Sequence, residues 1–165
     1  MKYTNEDTMK PNIDIAENHI KEIALLLNTL LADEYVLYTK TRNAHWNIQG
    51  ANFIELHTFF ESQYVVLEVT IDNVAERIRA LGHFAMGSLR DFTALSRISE
   101  QNHDFTDAKN IIKTLMEDHE AVIRSLRKEI GDVGEKLKDA GTADFLTGLM
   151  EQHEKMAWML RAHLS

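Results

Sequence analysis

The chain has 165 residues, 44% of them hydrophobic and 27% charged, which suits one globular domain able to bury a core without staples. It has no cysteine, so disulfides, thiolate nucleophiles and zinc ribbons are excluded, and any metal site must be built from His, Asp and Glu, a donor set suited to iron, manganese or zinc. The net charge of -8 opposes unspecific binding to nucleic acid or anionic membranes, which needs clustered Lys and Arg. No stretch approaches the ~20 apolar residues of a membrane span, and Met1–Asp14 lacks the basic-then-apolar pattern of a signal peptide. With no cysteine, a reducing compartment, the cytoplasm, is the expectation.

The only proline is Pro11, and long stretches are free of glycine, which favours long helices. Residues 1–13 read as a flexible tail ahead of a domain over 14–165. Asp14 with Glu17 reads as a capping box opening a first helix that runs to about Trp46. Its middle, Ala24–Ala32, is apolar on more than one side, which predicts burial on more than one side. Asn47–Ala51 holds Gly50 and reads as a turn. Asn52 with Glu55 repeats the capping pattern, and a second helix continues to about Leu81, ended by Gly82. Residues 83–106 are polar and irregular, with one helical turn near Phe92–Arg97. Thr106 is placed to cap a third helix whose stripe is Ile112, Leu115, Met116, Val122, Ile123, Leu126 and Ile130, ended by Gly131 and Gly134. Thr142 is placed to cap a fourth, with Leu146, Leu149, Met150, Met156, Ala157 and Leu160. Four long helices with a longer crossing between the second and third predict an all-α, ferritin-like four-helix bundle carrying a short extra helix in that linker.

The second helix carries two stripes. Phe53, Leu56, Phe60, Leu67, Ile71, Val74, Ile78 and Leu81 form the expected core side. Beside them run His57, Glu61, Glu68, Asp72 and Glu76, whose spacings of 4, 7, 4 and 4 put them on one face. The plain reading is a solvated charged face. Against it, His57–Glu61 and Asp72–Glu76 are i,i+4 pairs of metal-ligand types, and His45 stands just before the turn into this helix. His57 and Asp72 are fifteen residues apart, roughly 22 Å along a helix, whereas a ligand atom sits about 2.0–2.2 Å from its metal. One chain cannot bring both pairs to one ion. Two copies can, if the second helix packs antiparallel on its twin about a two-fold axis. Facing His57 with Asp72 of the other copy sets Glu61 opposite Glu68 and Glu76 opposite Phe53, beside the turn that leads back to His45. One register thus gathers His45, His57 and Glu61 of one chain with Asp72 and Glu76 of the other. The mixed nitrogen and oxygen donors suit Fe(II), and carboxylates favour Fe(III) as electrons leave.

The segments AHWNIQGANFIELHTFFE (44–61) and TIDNVAERIRALG (70–82) resemble the Dps family of mini-ferritins, through an HWN-x-x-G-x-x-F-x-x-L-H pattern followed by D-x-x-A-E-R. The resemblance extends over about residues 15–163. It implies a hollow twelve-subunit shell with ferroxidase centres at two-fold interfaces, where His45, His57 and Glu61 of one subunit and Asp72 and Glu76 of its neighbour hold iron. It implies that Fe(II) is oxidised there, with hydrogen peroxide as the preferred oxidant over dioxygen, and that ferric mineral is stored inside, which protects against oxidative damage. It further implies that Trp46 acts as a radical trap beside the centre. Asp144, with Asp139, would line the pores through which iron enters. Met86 stands where many relatives have proline. DNA-binding relatives carry a Lys-rich tail; here Met1–Ile13 sets Lys2 and Lys10 against Glu6 and Asp7, so DNA compaction is the alternative reading. His119 and His153 lie on the core stripes without the Glu-x-x-His spelling of an intra-bundle di-iron site, and read as hydrogen-bonded core histidines.

Overall fold

The computed structural model describes residues 10–100, 105 and 107–164. In chain order it contains α1 (Glu17–Asn47), α2 (Phe53–Ala80), the short α3 (Leu89–Leu95), α4 (Ala108–Gly131), a π-helical turn (Asp132–Lys136) and α5 (Ala140–Ala162). Among the described residues there is no strand, and no helix is long and apolar enough to cross a membrane. α1 packs along α2 and α4 along α5; α3 lies on α1 within the crossing between the two hairpins. The core is filled from all four long helices, by Ile23, Leu27 and Leu31 of α1, Phe60, Leu67 and Ile78 of α2, Leu115 and Leu126 of α4, and Leu146 and Leu160 of α5. Phe53, expected on the core stripe, is instead 38% exposed, with its ring 5.1 Å from that of His57. Leu25, within the apolar run of α1, stays 58% exposed.

Three buried polar side chains of α1 fasten the crossing segment. Asn28 donates to the Ala24 carbonyl and accepts from the Met86 N–H at 2.8 Å. A proline at 86 would have no such hydrogen to give. Asp33 accepts from the Arg97 N–H and from Arg97 Nε. Lys40 donates to the Ser99 carbonyl and pairs with Asp118 of α4. Each would be costly to bury alone, and the linker lying across α1 supplies a partner to each.

The helix starts differ from the sequence reading. Asp14 has φ 59° and makes no cap; Ala16 is the N-cap of α1, and the Glu17 carboxylate is taken by Lys10 Nζ at 2.7 Å. Asn52 flanks α2 without a side-chain cap. Thr106 lies outside the described residues; Asp107 caps α4 by accepting from the Asn110 N–H. Asp139, not Thr142, caps α5, because the Thr142 hydroxyl is held inside the bundle by Asp139 and Arg77. Gly131 does not stop α4, which runs on as a π-helical turn that buries Val133; the chain turns at Lys138, with φ 62°. Of the expected tail, residues 1–9 lie outside the described region. Pro11 packs on Gly82, whose φ is +82° and where an added Cβ would lie 2.6 Å from the proline ring.

Candidate metal centre

His45 lies in the last turn of α1 and His57 in the second turn of α2. The connecting turn reverses the chain at Gly50, whose φ of +115° few side chains tolerate. The reversal stacks the two imidazoles at 3.7 Å between centroids. It also pairs them reciprocally: His45 Nδ1 donates to the His57 carbonyl at 2.7 Å, and His57 Nδ1 to the His45 carbonyl at 2.8 Å. A carbonyl can only accept, so both rings carry a proton on Nδ1, and in the neutral imidazole the lone pair is then on Nε2. That is the tautomer a metal-binding histidine requires.

Glu61, one turn further along α2, is exposed and near the Tyr64 hydroxyl, which donates to Oε1 at 3.4 Å. Tyr64 meets the His45 ring edge-on at 5.2 Å. Partial burial, then the Glu61 charge, raises its phenol above the usual range. Trp46 is 62% exposed beside this group. Arg42, which sequence reading overlooked, lies over the rings of Tyr64 (4.8 Å), Trp46 (5.2 Å) and Tyr38 (5.5 Å), and donates to the Tyr38 hydroxyl at 2.5 Å. The signal was present as Tyr38-Arg42-Trp46, an i,i+4,i+8 row on one helix face.

Asp72 and Glu76 are exposed, further along the unbroken α2. Asp72 lines an open depression of about 550 Å³ together with Tyr35, Tyr38, Glu68, Val65 and Val69. Val65 and Val69 are exposed apolar residues on this carboxylate-bearing face. Among the described residues, no three His, Asp or Glu side chains of one chain converge as a metal site would need. The structure therefore brings His45 and His57 together, sets Glu61 on the next turn, and leaves Asp72 and Glu76 about four turns away.

The other candidates take structural places. His119 and His153 are fully buried, their Nδ1 atoms 2.9 Å apart, and His153 Nε2 contacts Glu34 Oε1 at 2.8 Å. Burial, then His153, holds the His119 imidazole far below its usual range, hence neutral. Asp139 is buried, caps α5 and pairs with Arg77; Asp144, in the first turns of α5, is exposed.

Comparison with known proteins agrees with this architecture. The ferritin-like domain model matches residues 24–165. A protein called DNA protection during starvation protein 2, from Bacillus anthracis, is 35% identical over 88% of this chain and 98% of its own length. This chain belongs to the Dps family of ferritin-like proteins. An uncharacterized low temperature-induced protein of Nostoc sp. is 42% identical to this Dps-family chain, over 93% of it and 86% of the relative. The crystal structure of a Dps protein from Vibrio cholerae, described as a member of a broad superfamily of ferritin-like diiron-carboxylate proteins, superposes with a TM-score of 0.88 at 31% identity, covering 96% of this chain and 99% of that one.

Proposed function

We propose that this Dps-family protein is a cytoplasmic ferroxidase and iron store, oxidising Fe(II) at sites shared between two copies of the chain. The observation that carries the reading is the reciprocal bonding of His45 and His57, which fixes both rings in the ligating tautomer. Fe(II), the substrate, would be held by these two nitrogens and Glu61, and completed by Asp72 and Glu76 of a second copy whose α2 lies antiparallel. Val65 and Val69 supply apolar surface for that pairing. Glu61 and Glu68 of the two copies would face each other, so cation binding relieves their repulsion.

With hydrogen peroxide as oxidant the overall change is 2 Fe(II) + H2O2 + 2 H+ giving 2 Fe(III) + 2 H2O. Ferric product would be stored as mineral inside a shell of twelve chains of 19.0 kDa, roughly 230 kDa in all. Asp144 is proposed to line the pores admitting iron, with Asp139 contributing by fixing the start of α5, and Trp46 to intercept radicals that leave the centre. Replacing His57 or Asp72 with alanine should abolish fast peroxide-driven iron oxidation, followed by ferric absorbance, while light scattering still reports the full assembly. An undiminished fast phase in either variant would reject the site.

The name of the Bacillus anthracis relative favours a second reading, DNA compaction with iron secondary. The net charge of -8 weighs against it, and Lys10 is already paired with Glu17. A gel shift at physiological salt should show no retardation.

A further inference from the structure

A line of aromatic rings leaves the half-site and runs back along α1. His45 meets Tyr64 at 5.2 Å between centroids, Tyr64 meets Tyr38 edge-on at 6.1 Å, and Tyr38 meets Tyr35 at 6.1 Å. Tyr35 and Tyr38 line the same depression as Asp72, which belongs to the other half-site. The three phenols therefore join the two ends of one chain that would serve two different iron sites. All three are partly accessible, while Tyr35 and Tyr38 are also held against the core, Tyr35 stacked on Phe92 at 4.4 Å.

The environment suits phenols that are oxidised and then restored. Tyr64 donates to the Glu61 carboxylate, which turns its hydroxyl toward the half-site. Arg42 lies over the Tyr64 and Tyr38 rings and donates to the Tyr38 oxygen, fixing their relative position. Hops between adjacent rings are short, whereas a direct transfer along α2 from His57 to Asp72 spans roughly 22 Å.

We propose that Tyr64, Tyr38 and Tyr35 form a relay that carries a one-electron oxidising equivalent from the His45–His57–Glu61 half-site to the depression holding Asp72. The relay rests on the iron-oxidising function proposed above. One-electron reaction of Fe(II) with peroxide gives Fe(III), hydroxide and a hydroxyl radical. The radical takes the phenolic hydrogen of Tyr64, giving water and the Tyr64 phenoxyl radical. An electron from Tyr38 and a proton from solvent restore Tyr64, and Tyr38 releases its own proton to the open depression. Tyr35 restores Tyr38 in the same way. A second Fe(II), at the site to which Asp72 contributes, reduces the Tyr35 radical with uptake of a proton. The sum is the two-iron, one-peroxide reaction given above, with no radical left over.

The test uses the full assembly, anaerobically loaded with Fe(II) and given limiting peroxide. The parent should oxidise about two irons per peroxide. Tyr64→Phe keeps the ring and its packing, and should bind the same amount of Fe(II). It should drop toward about one iron per peroxide, with new oxidation of Trp46 found by peptide mass spectrometry. Tyr35→Phe, remote from the ligands, should accumulate a tyrosyl radical in rapid-freeze electron paramagnetic resonance, and Tyr38→Phe in the same background should abolish or displace that signal. A ratio that stays at about two in Tyr64→Phe, or no tyrosyl signal in Tyr35→Phe, overturns the relay alone. A parent that fails to oxidise iron with peroxide overturns the proposed function and the relay with it.

Discussion

The sharing of one site between two chains can be tested by complementation. α2 is continuous from Phe53 to Ala80, so the fifteen residues between His57 and Asp72 span roughly 22 Å and no rearrangement short of breaking the helix unites them. Chains carrying His57→Ala and chains carrying Asp72→Ala are each expected to be inactive alone. Unfolding and refolding them together at equal amounts lets dimers form at random, and about half will be mixed. In a mixed dimer one site carries both lesions. The other takes His57 from the Asp72→Ala chain and Asp72 from the His57→Ala chain, and is intact. About a quarter of all sites are therefore restored. The assay is the amplitude of the fast ferric absorbance change in stopped flow, with each variant refolded alone as the control. Amplitude near a quarter of parental is the expected result. No amplitude above the controls, from assemblies of parental mass, would refute the sharing of ligands between chains.

Two further outcomes concern stability. Asp139→Ala removes the cap on the Thr142 N–H and strips Arg77 of its carboxylate, so it should cost about 2 kcal/mol in chemical denaturation, against a few tenths for Asp144→Ala. His119, held far below its ordinary value by burial and by His153, is neutral in the fold and protonates more readily in the unfolded chain. The unfolded state then binds more protons, so stability falls as pH drops below the unfolded value of about 6.5, by up to about 1.4 kcal/mol per pH unit. His119→Gln should flatten this part of the stability profile between pH 5 and 6.5, and an unchanged slope would contradict the burial argument.

The long helices were legible because their apolar spacing and lack of interior proline are local properties. The helix starts were not, because a cap is chosen by what competes for the side chain. Thr142 looks like a cap until Arg77, 65 residues away, takes its hydroxyl; Glu17 looks like half of a capping box until Lys10 claims it. Gly131 marks a boundary by propensity, yet Val133 has core to fill and the helix continues through it. At the candidate site, spacing placed the ligand types on one face and geometry excluded a one-chain site. The tautomers of His45 and His57 could not be read, since they depend on carbonyls presented across the turn. Arg42 was missed because a lone arginine on a helix face is usually solvated, and only the third dimension gathers three rings around it.

The same chain uses histidine pairs in two opposite ways, and the partner of Nδ1 decides which. In the bundle interior both nitrogens of His153 are engaged, Nε2 with Glu34 and Nδ1 with His119. The three groups lie in a line, so Glu34 and His119 contact opposite edges of one ring and do not converge on a common point. Metal binding needs convergence; a line of hydrogen bonds fixes how α1, α4 and α5 meet. At the α1–α2 turn, backbone carbonyls take the Nδ1 protons of His45 and His57, and neither ring spends a nitrogen on the other. The proposed chemistry is therefore assigned to the α1–α2 turn, where two imidazoles lie one turn from Glu61 and where the carboxylates of a second copy would reach them. Burial of the interior pair stabilises one subunit; at the α1–α2 turn, where His45 is buried and His57 half-buried, the proposed site would depend on a second.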